Sequence, residues 1–353
     1  MSSKLLILHE TDGKVYFPAL DLAAVNLNYK VIYRESSVIR LLIWDVLVGK
    51  KPLLLALKKS IKNFYFRALE QFNFRGDCIL CFAPYDFRLF FYLPLLYNNR
   101  CIFHTSWPNW LGEDVPRGNF KPLKCFYKRV MSDRECVAVT NTAARSVKSF
   151  CPNLFVTQIP HVANTVHLDD NISVSEFDLP SNYICFIGKL VCEKGIRQLL
   201  TIASQLSNYN FVFIGDGPLM GELSKTAKVL KNIFVLGHIK SREKLCSILS
   251  RSDLLVVPSQ RRAGWEELFG IVIIEAFAVG VPVLSSNHCG PNSIVKKYKD
   301  FFLVDDSQWE KPLFIELKIK EILIRKKCFD LKKISKRYSV NVVSVLWKRI
   351  LVK

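Results

Sequence analysis

The sequence predicts an α/β protein with two Rossmann-like domains that face each other across a cleft. Two sets of short apolar runs alternate with helix-like segments, and a polar stretch separates the sets. The length of 353 residues also fits two domains better than one. We expect an N-terminal domain at 1–165, a C-terminal domain at 166–330, and a basic helix at 331–353 that packs back toward the first domain.

In the first half, six apolar runs predict parallel strands, because consecutive βα units place their strands parallel. They are 4–10, 30–34, 77–83, 100–105, 136–140 and 155–159. The segment 36–74 is too long for a simple crossover, and it mixes lysines and arginines with large apolar residues. It either lies on a membrane surface or contains a helix that covers the sheet with its lysines outward.

Between 164 and 181 the apolar periodicity gives way to Asp, Asn, Ser and Pro, which is typical of a linker. A second set of six strands is predicted at 183–187, 210–214, 233–236, 254–257, 282–285 and 300–304. Ligands of parallel α/β sheets bind beyond the carboxyl ends of the strands, so we expect the functional site there.

The composition favours a folded chain with anionic partners. Half of the residues are hydrophobic, 12% are aromatic, and the formal net charge is +19. Residues 311–353 hold 13 basic against three acidic side chains, a net charge of +10. This tail is either a set of solvated helix faces or a surface attracted to anionic lipid. No aromatic run of the RNA-binding type is present, so we expect no nucleic-acid partner.

The eleven cysteines are an odd number, and the start of the chain runs into an apolar strand without a signal peptide. We therefore expect reduced thiols in a cytoplasmic protein. Cys78 and Cys81 form a C-x-x-C inside an apolar strand, which indicates a structural role and not a redox or zinc site. The longest apolar run, 41–57, is interrupted by charged residues and a proline, so we expect no transmembrane helix.

The segment of the sequence that most strongly indicates a binding site begins at Pro258, where a predicted strand ends. After a loop, an apolar helix is predicted from Phe269 or Gly270 to near Gly280, a residue suited to the position after a helix end. The first turn of this helix carries no acidic side chain, so its free amides offer a phosphate site.

Two glutamates accompany this helix. Glu275 lies about 7–8 Å along the axis from the helix start, at about 1.5 Å per residue, which is the step from a diphosphate to a ribose. Its carboxylate needs donors in so apolar a helix, and ribose hydroxyls would supply them. For Glu275, and for Glu267 in the preceding loop, a structural ion pair is the alternative.

The second half of the sequence resembles the retaining glycosyltransferases of the GT-B fold, in particular the large family numbered four. Glu267 and Glu275 match the E-x7-E motif of that family. The resemblance covers residues 135–300 well, and further matching segments are 186–195, 214–218, 235–239 and 253–259.

The resemblance implies a nucleoside diphosphate sugar, UDP- or GDP-linked, as donor substrate, and no further cofactor. Glu267 would contact the sugar near the reacting carbon, and Glu275 would hold the ribose. Lys189 and Lys194 would neutralise the diphosphate, although the family usually has arginine at 189, whose bidentate geometry lysine lacks. Further donor contacts are implied for Gly188, Gly217, His238, Ile239, Phe269, Gly270 and Ile271.

In the first half the resemblance is thinner. Gly13 corresponds to the family's glycine-rich first loop, and His104 to a histidine near the donor sugar, whereas we interpret His161 as structural. The sequence has no D-x-D motif, and the acidic pairs 169–170 and 305–306 fall in loops outside the donor-site segments. We therefore expect transfer without a metal ion.

The acceptor implied by the resemblance and the basic charge is a lipid-linked glycan of bacterial surface polysaccharide, such as O-antigen, lipopolysaccharide or capsule. The enzyme would then lie at the inner face of the cytoplasmic membrane. A soluble acceptor stays open, as does a nucleotide-sugar epimerase on the same fold. A non-catalytic membrane scaffold is the third alternative, but it would be expected to lack Glu267, Glu275 or Lys194, and all three are present.

Overall fold

The computed structural model describes residues 3–10, 13–37, 52–112, 120–163 and 173–352. These residues form two compact units, 1–162 with 340–353 (unit 1) and 163–339 (unit 2). The corresponding sequence-based boundaries are 165/166 and 330/331. Among the described helices, none is long and apolar enough to cross a membrane.

Unit 1 contains a parallel sheet in the order β2-β1-β3-β4-β5-β6. Its strands are β1 (Lys4–His9), β2 (Lys30–Glu35), β3 (Asp77–Cys81), β4 (Arg100–Thr105), β5 (Glu135–Ala138) and β6 (Phe155–Gln158). Its helices include α1 (Pro18–Asn26), α2 (Leu53–Tyr65), α3 (Leu93–Asn98), α4 (Lys121–Met131) and α5 (Asn141–Phe150). A π-helical turn, Phe66–Glu70, and a single turn, Gln71–Asn73, continue α2, and 3₁₀ turns lie at Lys14–Tyr16 and Phe87–Tyr92.

The two faces of this sheet bury two separate cores, because successive strand residues point to opposite faces. Leu6 and Leu8 of β1 pack in one core, which includes residues of α3, α4 and α5. Leu5 and Ile7 pack in the other, which includes residues of α1. Cys78 and Cys81 are buried in β3, as predicted for structural thiols, and all eleven cysteines lie in the described ranges as free thiols.

Unit 2 contains a second parallel sheet, in the order β12-β11-β10-β7-β8-β9. Its strands are β7 (Ile184–Ile187), β8 (Phe211–Ile214), β9 (Ile233–Gly237), β10 (Leu254–Val257), β11 (Val283–Ser286) and β12 (Leu303–Val304). Its helices are α6 (Ile196–Gln205), α7 (Met220–Val229), α8 (Arg242–Arg251), α9 (Ile271–Ala278), α10 (Cys289–Val295), α11 (Lys299–Phe302), α12 (Pro312–Arg325) and α13 (Leu331–Lys336), with 3₁₀ turns at Ser175–Phe177, Cys192–Lys194, Lys296–Tyr298, Asp306–Glu310 and Lys326–Cys328.

The strand order of unit 2 reverses direction between β7 and β10. The chain moves outward from β7 to β9 on one side, and from β10 to β12 on the other. This is the order typical of Rossmann folds, in which ligands bind at the carboxyl ends of the two strands that flank the reversal.

The last strand of unit 2 is shorter than predicted. The sequence predicts one strand at 300–304, but α11 takes up Lys299–Phe302 and only Leu303–Val304 pair with β11. The Phe302 ring is buried against Phe277, with ring centroids 5.5 Å apart. A short apolar run does not distinguish strand from helix by periodicity, so the sequence could not show this.

The C-terminal helix, α14 (Val340–Leu351), belongs to unit 1 and packs against α1. The carbonyl of Leu351 accepts a hydrogen bond from the Tyr29 hydroxyl at 3.3 Å, and that of Ile350 accepts one from Arg100 at 2.6 Å. The predicted return of the C-terminal helix to the N-terminal domain is confirmed. The preceding α13 packs instead against α9 in unit 2.

Candidate functional site

The candidate site of unit 2 is formed by the loops that leave β7 and β10. After β7 the chain makes a 3₁₀ turn, Cys192–Lys194, and then passes through Gly195 at φ +71°. An ideal Cβ on Gly195 would lie 1.9 Å from the carbonyl oxygen of Pro258, so only glycine fits. This close approach fixes the Lys194 turn against the end of β10.

Lys194 and Glu267 form an ion pair at this point, between the Nζ atom and Oε2. The same carboxylate oxygen accepts a hydrogen bond from the Ser259 hydroxyl at 3.2 Å. The Lys194 ammonium also lies 5.3 Å from the centre of the Trp265 ring, within range of a cation–π contact. Two residues predicted from sequence are thus in direct contact, and Ser259 and Trp265 complete the cluster.

The main chain of Glu267 is held by the segment that follows β11. Its N–H donates to Nδ1 of His288 at 2.9 Å, and its carbonyl accepts from the N–H of Gly290 at 3.0 Å. Nε2 of His288 lies 3.0 Å from Oδ1 of Asp306. Asp306, which lies outside the donor-site segments in sequence, is thus brought close to Glu267 in space, because β11 and β12 are neighbours in the sheet.

Helix α9 begins beside this cluster, as predicted. Gly270, at φ +90°, is its N-cap, and within the described chain no side chain caps it and no acidic residue lies in its first turn. Phe269 and Gly270 are buried, and Ile271 opens the helix. Gly280, at φ +84°, follows the C-cap Val279, which confirms the predicted helix end.

Glu275 is buried in α9, and its carboxylate pairs with the guanidinium of Arg242. The ion-pair alternative for Glu275 is therefore present in the structure. Arg242 begins α8, after the loop that carries His238 and Ile239 at the end of β9. Burial lowers the pKa of Arg242 from its ordinary value. The sequence did not single out this arginine, since 33 positions separate it from Glu275.

The loops after β7 and β8 pack on each other and hold the remaining predicted residues. The Leu190 N–H donates to the carbonyl of Asp216 at 3.0 Å, and the Gly217 N–H donates to Oδ1 of Asp216 at 2.7 Å. Gly188 and Lys189 lie just beyond β7, where Lys189 is exposed. Together with His238 and Ile239 after β9, these residues all lie at the carboxyl edge of the sheet.

In unit 1 the two predicted residues lie near His9, the last residue of β1. An ideal Cβ on Gly13 would lie 2.9 Å from the Cβ atom of His9. His104, in β4, packs edge-on against Phe17 with ring centroids 4.9 Å apart, and its ring centroid lies 5.8 Å from that of His161.

Both histidines are neutral at pH 7. Burial, followed by the nearby His161 and His9, lowers the pKa of His104 well below its ordinary value. Burial lowers the pKa of His161 to about 4. Across the residues that the structure describes, no three His, Cys, Asp or Glu side chains are grouped so that they could hold a metal ion.

Comparison with known proteins shows similarity to glycosyltransferases. Residues 169–333 match the family model described as glycosyl transferases group 1. The chain is 24% identical over 288 residues, 76% of its length, to a 2-deoxystreptamine N-acetyl-D-glucosaminyltransferase of Niallia circulans. It is 35% identical over 99 residues, 27% of its length, to an Escherichia coli enzyme named UDP-Gal:α-D-GlcNAc-diphosphoundecaprenol α-1,3-galactosyltransferase. These matches span 61% and 24% of the relatives' own lengths.

Among solved structures, HepE of Anabaena aligns over 99% of both chains. The TM-score is 0.64 at 14% identity for its complex with UDP, and 0.62 at 15% identity for its complex with UDP-glucose. Identity this low shows the fold alone. The chain therefore has the GT-B glycosyltransferase fold, and its residues 169–333 carry the region that matches the glycosyl transferases of group 1.

Proposed function

We propose that this protein is a retaining family-four glycosyltransferase that moves a hexosyl group from a UDP- or GDP-linked sugar to a lipid-linked glycan. Bacterial surface polysaccharide, such as O-antigen, lipopolysaccharide or capsule, is the proposed product. The observation that carries the proposal is the Lys194–Glu267 pair beside the uncapped start of α9. It lies at the strand reversal where Rossmann sheets bind nucleotides.

In the proposed reaction the bond between the anomeric carbon and the diphosphate oxygen breaks. Positive charge grows on the sugar ring and negative charge on the departing diphosphate. Lys194, with Lys189 and the free amides at Gly270 and Ile271, stabilises the negative charge. The acceptor oxygen forms its bond on the face from which the diphosphate leaves. We propose that the transfer needs no metal ion.

Glu267 and Glu275 have different tasks in this proposal. Glu267 contacts the sugar, where its carboxylate stabilises the positive charge near the reacting carbon. Glu275 accepts hydrogen bonds from the ribose hydroxyls, and its ion pair with Arg242 holds the carboxylate in place. His238 and Ile239 lie around the base. The main chain of Gly188, Gly217 and Phe269 lies around the phosphates. In unit 1, we propose that Gly13 and His104 contribute to the sugar side and that this unit binds the acceptor.

The donor is tested by thermal unfolding of the protein with a panel of nucleotide sugars and nucleoside diphosphates. A ligand at about 100 times its Kd adds roughly 2.7 kcal/mol to the free energy of unfolding, so a matching donor is expected to raise the melting temperature clearly. Nuclear magnetic resonance of the matching donor, incubated with protein but without acceptor, separates a transferase from an epimerase. A sugar isomer there, or a panel without any stabilising ligand, would overturn the proposed function.

Helix α2 supports the membrane part of the proposal, because its small and polar side chains are buried and its large apolar side chains are exposed. Its buried residues are Ala56, Ser60 and Asn63. Asn63 exchanges hydrogen bonds with Glu35, the last residue of β2, at 3.3 and 3.4 Å. Lys59 pairs with the same carboxylate at 2.6 Å. The helix is thus attached to the edge strand by small and polar groups.

The large apolar side chains of α2 are exposed and form what we call the outer face: Leu53, Leu54, Leu55, Leu57, Ile61, Phe64 and Tyr65. Leu54 is 76% exposed and Ile61 65% exposed. Lys58 and Lys62 are exposed on the same helix. An exposed apolar face flanked by lysines suits the boundary between anionic headgroups and acyl chains. The segment 38–51, included in the sequence-based membrane region, lies outside the described residues.

Replacing both Leu54 and Ile61 by aspartate is expected to weaken binding to vesicles that contain anionic phosphatidylglycerol by about 10- to 100-fold. Each substitution removes an apolar side chain and adds a charge that the lipid repels. Co-sedimentation at low and high salt measures the effect. The matched control is Val229→Asp, a 77% exposed residue on α7. Equal binding of the double variant and the wild type would contradict the role of α2.

A further inference from the structure

His288 is a buried histidine, with a side chain exposure of 0%, and both of its ring nitrogens have partners. It is the N-cap of α10, directly after β11. Nδ1 lies 2.9 Å from the main-chain nitrogen of Glu267, and Nε2 lies 3.0 Å from Oδ1 of Asp306. The proposed transfer reaction assigns no task to this imidazole.

These contacts determine the tautomer of the ring. A main-chain N–H only donates, so Nδ1 of His288 must offer its lone pair to Glu267. Nε2 then carries the proton and donates it to Asp306. The second oxygen of Asp306 accepts the N–H of Arg261 at 2.7 Å, so the carboxylate is itself fixed. Burial lowers the pKa of His288, which favours the neutral ring that Glu267 requires.

The segment after β11 holds the Glu267 loop at further points. The Gly290 N–H donates to the carbonyl of Glu267 at 3.0 Å, and the Cys289 N–H donates to the carboxylate of Glu266 at 3.1 Å. An ideal Cβ on Gly290 would lie 2.3 Å from the nitrogen of Phe269, which shows how closely the two segments approach. Both main-chain polar groups of Glu267 are therefore bonded to this segment.

The position of the Glu267 main chain determines where its carboxylate reaches. The side chain lies between Lys194 and the Ser259 hydroxyl, and both partners come from other loops. If the N–H of Glu267 lost its acceptor, the loop would have to find another partner or admit water. A shift of about 1 Å at a reacting group costs on the order of 100-fold in rate.

We propose that His288 is a positioning residue, kept in its Nε2–H tautomer by Asp306, which fixes the Glu267 main chain and so aims its carboxylate. This inference rests on the proposed function for the step in which Glu267 acts on the donor sugar. Around the imidazole lie the carboxylates of Asp306 and Glu266, the Arg261 guanidinium and the Trp265 ring.

Two isosteric variants separate the two bonds of His288. In His288→Asn, the side-chain oxygen can take the place of Nδ1 and accept from Glu267, while the bond to Asp306 is lost. In His288→Gln, the amide can take the place of Nε2 and donate to Asp306, while Glu267 loses its acceptor. We expect His288→Gln to lower kcat by about 10- to 100-fold with unchanged affinity for nucleoside diphosphate, and His288→Asn to keep most of the activity.

Two readouts do not depend on activity. Nitrogen-15 shifts of the wild-type histidine rings are expected to show His288 protonated at Nε2 and unprotonated at Nδ1. Hydrogen exchange at the Glu267 amide is expected to stay slow in His288→Asn and to become at least about tenfold faster in His288→Gln. Thermal unfolding confirms that both variants fold.

A role in packing alone would favour glutamine, which fills more of the cavity, so the two variants would rank in the opposite order. That ranking, equal exchange at the Glu267 amide in both variants, or an Nδ1–H tautomer would overturn the inference. If no nucleotide sugar is a substrate, the exchange and tautomer measurements still decide whether His288 positions Glu267. Failure of the proposed function is thus distinguishable from failure of this inference.

Discussion

Replacing Lys194 by methionine is expected to lower kcat for glycosyl transfer by about 10²- to 10³-fold, the usual cost of removing one donor to a developing charge. In the proposed reaction the departing diphosphate gains negative charge at the strand reversal of unit 2, where the Lys194 ammonium lies against Glu267 and the Trp265 ring. Methionine keeps an apolar stem of similar length but has no charge. Steady-state kinetics with the donor found in the thermal screen measures the loss.

Lys225→Met is the matched control for that experiment. Lys225 is an exposed lysine on α7 and is not among the residues assigned to the site. Because a surface substitution of this kind changes energies by at most about 0.5 kcal/mol, we expect its kcat to stay within about twofold of the wild type. Wild-type turnover by Lys194→Met would remove Lys194 from the site. An equal loss in both variants would point to the overall charge of the protein instead.

Replacing Glu267 by glutamine is expected to lower kcat by about 10²-fold or more. The amide has nearly the same shape and can keep the bond from the Ser259 hydroxyl, but it has no negative charge to stabilise the sugar ring as the anomeric bond breaks. Release of nucleoside diphosphate in the presence of acceptor measures the rate. A variant that transfers sugar at the wild-type rate would show that Glu267 has no part in the chemistry.

Much of the fold could be predicted because the periodicity of apolar residues along the sequence indicates where strands and helices lie. The runs at 100–105 and 254–257 coincide with β4 and β10, and most of the others differ from the observed strands by only one or two residues. The error at 300–304 arose because this run has only four apolar residues, too few to distinguish a helix from a strand by periodicity. The exposure of the apolar face of α2 could not be predicted either, because composition indicates an amphipathic helix but does not show which face is buried.

The site could be predicted where its residues follow strand ends. Lys194 and Glu267 come after β7 and β10, and the strand order brings those two ends together. Arg242 and His288 also follow strand ends, after β9 and β11, but their positions alone did not single them out, because each acts through a partner that is distant in sequence. Asp306 lies outside the donor-site segments in sequence, and it reaches the Glu267 loop through the imidazole of His288 and the N–H of Arg261. Tertiary pairs of this kind leave no local pattern in a single sequence.

The central claim is that Glu267 serves the chemistry whereas Glu275 serves the nucleotide. Isothermal titration of nucleoside diphosphate into Glu267→Gln and Glu275→Gln, side by side, tests it most directly. We expect Glu267→Gln to bind with nearly wild-type affinity. Glu275→Gln should bind at least about tenfold more weakly, because a hydrogen bond to a charged group contributes about 1.5–3 kcal/mol. Equal losses in both variants, or a loss confined to Glu267→Gln, would contradict this division.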